Sequence, residues 1–153
     1  MKRFKKSILG VTLLEIMLVL AIAAMIIVMS VRYYQSANIN QQANAFLAQL
    51  QAMQAAADSL SQATGSYSAA TASSIVSIVG GTGNTVNTPW GGTITPSKSS
   101  ASTMLYTMGG AAVSTAVCTL VKSRLAANTH WSSSSGSAGA VSGCVTIYYN
   151  SNT

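Results

Sequence analysis

Residues 5–26 read KKSILGVTLLEIMLVLAIAAMI, and the order of features within them decides the architecture. Cations come first, then Gly10, then an apolar run. From Val11 to Val31 the polar exceptions are Thr12, Glu15 and Ser30, and Ile16–Met29 carries no polar side chain. Counted from Ile8 to Val31 the segment spans about 36 Å as a helix, against a bilayer core of about 30 Å. Lys2, Arg3, Lys5 and Lys6 lie on its N-terminal side. Positive charge stays cytoplasmic, so the remainder of the chain is expected across the membrane. An ordinary secretory signal places its small residue after the apolar stretch. Here Gly10 stands before it, which argues for a retained helix.

Glu15 is the informative residue of the run. A carboxylate in a membrane helix costs about 2.5–3.5 kcal/mol on insertion scales. Either it lies close enough to the helix end to reach the interface, or a specific cation neutralises it. A cut after Gly10 would make Val11 an N-terminus and set its ammonium among apolar neighbours. In a low-dielectric core that ammonium and Glu15 of an adjacent copy would attract strongly, and either charge alone would be costly.

Outward from this stretch the composition changes. Of the 153 residues only 7% are charged, against roughly 25% in an ordinary soluble protein. The apolar residues crowd the first third, while Ser, Thr, Ala, Gly and Asn dominate the rest, so the chain reads as an anchor and a head. Beyond the four leader cations, Arg32, Lys98, Lys122 and Arg124 face Glu15 and Asp58, a net of +2. That is too weak for a nucleic-acid surface, and no nucleic-acid partner is expected.

No Gly or Pro occurs between Val11 and Thr64. Ile39, Ala43, Phe46, Leu47, Leu50, Met53, Ala57 and Leu60 recur at steps of three and four, the apolar stripe of a helix that lies under a head. The helix is expected from near Val11 to near Leu60, stopped by Gly65. A short helix is expected around Ala70–Val79, ended by Gly80 and Gly81. Thr93–Thr95 and Ser102–Met108 read as strands. Val113–Ala126 reads as a second helix with Val113, Ala116, Val117, Leu120, Val121 and Leu125 inward. HWSSSSGSAGAVSG, from His130, reads as a flexible loop, and Gly143–Asn150 as a closing strand. The expected fold is α+β: a long N-terminal helix, transmembrane in its first half and amphipathic in its second, packed on a small antiparallel sheet. The segments are 1–10 leader, 11–31 membrane helix, 32–63 amphipathic helix and 64–153 head.

Cys118 and Cys144 form an even pair, which in an exported chain reads as one disulfide and in cytosol as two buried thiols. The bridge would close a loop of about 27 residues, worth roughly 3.5 kcal/mol by chain entropy. With His130 the only histidine, these residues cannot supply four zinc ligands. Glu15 and Asp58 are the only acidic side chains, so no acid–base pair, nucleophile triad or metal cluster assembles. We expect no enzyme, no cofactor and no metal. Trp90 and Trp131 are candidates for core packing as much as for ligand contact.

The leader and the residues after it resemble those of type IV prepilins and pseudopilins. That family has a basic leader ending in Gly, a cut before a hydrophobic residue, Glu at the fifth position of the mature chain and a long apolar helix. The resemblance implies cleavage between Gly10 and Val11 by a prepilin peptidase, N-methylation of Val11, and an assembly role for Glu15. It also implies a disulfide, here Cys118 to Cys144, bounding an exposed C-terminal region. VRYYQSANINQQ (31–42) and NTPWGGTIT (87–95) are similar to stretches of type IVb, bundle-forming pilins. The leader is shorter than that branch's, and no proline interrupts the helix.

What the resemblance implies is a structural subunit of a helical homo-oligomer, serving adhesion, aggregation, motility or conjugative contact. Its partners would be copies of itself, the peptidase and the inner-membrane assembly machinery. It would sit in a bacterial inner membrane as precursor and outside the cell as pilus. A minor pilin that binds DNA or a surface is the alternative within the family, and a type II secretion pseudopilin another. Calcium takes six to eight oxygen ligands, and no Asp or Glu follows Asp58, which disfavours a calcium-dependent pseudopilin. A plain membrane-anchored protein would be uncut at Gly10 and indifferent to loss of Glu15.

Overall fold

The computed structural model describes residues 12–109, 113–134 and 146–151. Helix α1 covers Leu13–Gln62, followed by a 3-10 turn at Tyr67–Ala69, α2 at Ala72–Val79, β1 at Val86–Asn87, β2 at Thr93–Lys98 and β3 at Thr103–Gly109. Helix α3 is Thr115–Leu125, and β4 (Trp131–Ser134) and β5 (Thr146–Asn150) complete the order. The chain divides into two compact units, Met1–Ala37 and Asn38–Thr153. The architecture is α+β, a long helix with a small antiparallel sheet, as the pattern predicts.

In the second unit α1 buries Ala43, Phe46, Leu50, Met53, Gln54, Ala56 and Ala57. Set against the expected stripe, Gln54 and Ala56 are additions, while Ile39, Leu47 and Leu60 are only partly buried at its margins. The helix stops where Gly65 turns left-handed, at φ +68°, a region that favours glycine. Its N–H returns to the Ser61 carbonyl at 2.7 Å, satisfying one of the helix's last acceptors.

Helix α2 has both ends written into its sequence. The Thr71 hydroxyl accepts from the Ser74 N–H, and Gly80 closes the helix in the left-handed region. Gly81 is needed for a different reason. A Cβ there would meet the Thr85 carbonyl oxygen and Val76 Cγ1, each at 2.6 Å. The oxygen belongs to the backbone and cannot swing aside. Gly81→Ala is therefore expected to cost about 1–3 kcal/mol, read as a lower urea midpoint by tryptophan fluorescence.

The five strands run in the order β1-β2-β3-β5-β4, every neighbouring pair antiparallel. Ile94 and Pro96 of β2, Met104 and Tyr106 of β3 and Ile147 of β5 point into the core. Strand β2 runs past Thr95, further than its composition suggests, and includes Pro96 opposite Tyr106. Pairing with β1 stops at Ile94, so beyond it β2 is an edge, where a residue without an N–H is tolerated.

Helix α3 starts at the Ser114 cap, whose hydroxyl accepts from the Val117 N–H. Val117, Cys118, Val121 and Leu125 are buried, while Val113 and Leu120 are packed at the rim. Ala116, expected inward, is exposed, and Cys118 takes the inner position instead. The Arg124 guanidinium donates to the Asn44 and Asn40 side-chain oxygens and ties the last turn of α3 to α1.

One expectation fails outright: Trp131–Ser134, read as loop, is the edge strand β4 beside β5. Serine has little strand preference, but the ladder uses backbone groups. Trp131 anchors the strand, with ring centroids 4.9 Å from Tyr149 and 5.9 Å from Tyr106. Tertiary aromatic packing overrides local composition here. The closing strand, placed at Gly143–Asn150 from sequence, is described as Thr146–Asn150 and lies inside the sheet, between β3 and β4.

Candidate functional site

In the first unit the helix begins at a threonine. The Glu15 N–H bonds to both the Thr12 carbonyl, at 3.0 Å, and the Thr12 hydroxyl, at 3.3 Å. Thr12-x-x-Glu15 therefore has the spacing of a capping box, a pattern legible in the sequence that our reading passed over. Glu15 lies in the first turn, where the helix's partial positive charge offsets a carboxylate by roughly 0.3–1 kcal/mol. It thus has a local role beside any contact with another chain.

Beyond Glu15 the helix is apolar on every side. Leu13, Leu14, Ile16, Met17, Leu18 and the large side chains through Val31 are all more than half exposed. The helix is long and apolar enough to cross a membrane, and none of its most apolar window is buried. A soluble helix buries one face; this one offers no polar face to water over about five turns. Ser30 is accommodated by donating to the Ile26 carbonyl at 2.8 Å, which leaves its hydroxyl satisfied in apolar surroundings. Tyr33 and Tyr34 follow at 80% and 73% exposure, next to Arg32. Amphipathic rings beside a cation at the end of an apolar helix suit a membrane–water interface.

The head carries a polar network that sequence reading did not find. Gln54 Nε2 donates to Asp58 Oδ1 at 2.7 Å and to Tyr67 Oη at 2.9 Å. The Tyr67 hydroxyl donates to the same Asp58 oxygen at 2.6 Å, and Tyr106 donates to Gln54 Oε1 at 2.6 Å. Every polar atom of Gln54 is thereby used, which is what lets an amide sit in the core. No local signal marks this, since Gln54 and Tyr106 are 52 residues apart. Asp58 also lines a recess of about 380 Å³ with Ser61, Gln62, Ser66, Tyr67 and Ser102.

Burial, and then the nearby Asp58 carboxylate, push the Tyr106 phenol well above its usual range. Burial and the hydrogen bond to Asp58 do the same for Tyr67, and burial followed by Asp58 raises Tyr149. These groups stay protonated in the folded head above pH 10, while in the unfolded chain they ionise there, near the ordinary phenol value of about 10. Stability is thus full below about pH 10 and falls as pH rises beyond it. Tyr106 alone contributes a slope of up to about 1.4 kcal/mol per pH unit. Urea midpoints should differ little between pH 8 and about 9.5 and be clearly lower at about pH 11.

His130 is half-buried, its Nδ1 donating to the Asn150 carbonyl at 2.8 Å and its ring stacked on Tyr149. Trp90 packs on Phe46 with centroids 5.1 Å apart. Both residues serve the head's packing. Among the described residues no three His, Cys, Asp or Glu side chains come together as metal ligands. Gly10, Val11, the four leader cations and Cys144 lie outside the described residues. Comparison with protein-family models, curated proteins and solved structures finds no match.

Proposed function

We propose that the chain is the precursor of a type IV pilin subunit. The observation that carries this reading is the exposed, all-round apolar helix with one carboxylate in its first turn, directly after a basic leader ending in Gly10. Such a surface needs lipid or copies of itself around it, and Glu15 needs a cation. A peptidase cut before Val11 supplies that cation at each new N-terminus. Before assembly the precursor waits in the inner membrane. In the fibre the apolar helices pack laterally, Glu15 sets register against a neighbour's Val11 ammonium, and the heads tile the outside. A repeated heterologous contact of this kind produces an open helical filament and calls for no catalysis. On this reading Cys118, buried on α3, pairs with Cys144 in one disulfide.

The test is the mature N-terminus. Mass spectrometry of material sheared from cells, without reduction, should give a chain that starts at N-methylated Val11 and is two hydrogens light. An uncut chain confined to membranes would overturn the proposal and leave an anchored protein.

A further inference from the structure

Two of the head's three cations lie toward one end of its stretch of α1 and its carboxylate toward the other. Lys122 and Arg124 occupy the last turn of α3, and Arg124 holds that turn against Asn40 and Asn44. Asp58, the head's only acidic side chain, stands fourteen residues beyond Asn44 on the same helix, roughly 21 Å at standard rise. Within its own chain Asp58 bonds Gln54 and Tyr67, both neutral, and both bonds end on Oδ1. The second carboxylate oxygen takes part in neither, and the residue lines the recess formed with Ser61, Gln62, Ser66 and Ser102. Lys98 ends β2 beside the turn that closes this recess but does not line it.

We propose that the Asp58 recess receives Lys122 of a second copy of this chain. The inference rests on the fibre reading above and adds a head-to-head contact to it. Heads related by one repeated fibre contact are equivalent, so a displacement of roughly 21 Å along the head's own stretch of α1 brings the Lys122 end of one head to the carboxylate end of the next. Arg124 is already engaged with two asparagines, which leaves Lys122, on a flexible four-carbon stem, to reach across. The recess offers hydroxyl and amide oxygens for the ammonium's remaining protons. Donor and acceptor lie at opposite ends of one head, so the contact is heterologous and repeats without closing.

The head's lack of other acidic side chains makes the test direct. A carbodiimide joins a carboxylate to an amine in contact with it, forming an amide as the carbodiimide takes up the water lost and becomes a urea. Applied to fibres sheared from cells making the full chain, it should link Asp58 of one subunit to Lys122 of another, read by peptide mass spectrometry. The link should be missing from detergent-solubilised single chains and from Asp58→Asn fibres, which keep an oxygen for Gln54 and Tyr67. Lys122→Glu should lower fibre yield at least tenfold, while Lys122→Arg restores it. Intact fibres in which Asp58 couples to Lys98, or to no amine, would overturn the contact and leave the fibre reading standing. A link that persists in single chains would overturn it too. Uncut chains with no fibres at all would remove both.

Discussion

Truncating Tyr106 to alanine is expected to leave the head largely unfolded. The side chain is fully buried, and losing an aromatic of that size costs about 3–5 kcal/mol where the core cannot collapse. Whole-domain stabilities run to roughly 5–15 kcal/mol, so one such loss takes a large share. The change also removes the hydroxyl that satisfies Gln54 Oε1 and the ring that Trp131 packs on. Tyr106→Phe separates the two effects, since it keeps the ring and deletes only the hydroxyl. It should cost about 1–3 kcal/mol, the usual penalty for a stranded buried acceptor. Urea unfolding of the detergent-solubilised chain can be followed by the fluorescence of Trp90 and Trp131, which both sit against the core. Equal midpoints for the unaltered chain and the Tyr106→Phe variant would mean that the Gln54 network contributes nothing to stability.

On the pilin reading proposed above, Glu15→Ala should separate membrane residence from assembly. In a bilayer the substitution removes an expense of about 2.5–3.5 kcal/mol, so the precursor should remain at least as abundant in membranes. Its local cost is the loss of a carboxylate from the helix's first turn, only about 0.3–1 kcal/mol. Surface fibres should nonetheless fall about a hundredfold or more, because each neighbour's ammonium would be left unpaired among apolar side chains. Quantifying sheared fibre against membrane-bound subunit gives both numbers from one culture. Normal fibres from this variant would dismiss the register role of Glu15 and leave it only its place in the helix's first turn.

The parts of the fold that were legible in the sequence are those with a local cause. The spacing of Phe46, Leu50, Met53 and Ala57 marked the buried face of α1, Gly65 its stop, and Gly80 the end of α2. What escaped depended on partners distant in the chain. Ser132–Ser134 pair as a strand because β5 and the aromatic cluster at Trp131 hold them there. Gln54 is buried because Tyr67, Tyr106 and Asp58 converge on it from three elements. Polar residues of this kind follow no period, so a pattern search passes over them. The apolar first half of α1 was the reverse case, since its meaning lay in continuous composition that needs no tertiary partner to be read.

The placement of the basic residues has a bearing on resistance to proteolysis. Beyond Lys6 the basic residues are Arg32, Lys98, Lys122 and Arg124, and each lies in regular structure: Arg32 in α1, Lys98 in β2, the other two in α3. Trypsin-like proteases must draw several residues into an extended strand before cutting. At these four positions that means breaking helical or ladder hydrogen bonds first, so cleavage waits on local opening. Beyond Lys6 the folded chain is therefore poorly digestible by proteases that cut after lysine or arginine, and the rate at which it is cut there reports how often it opens.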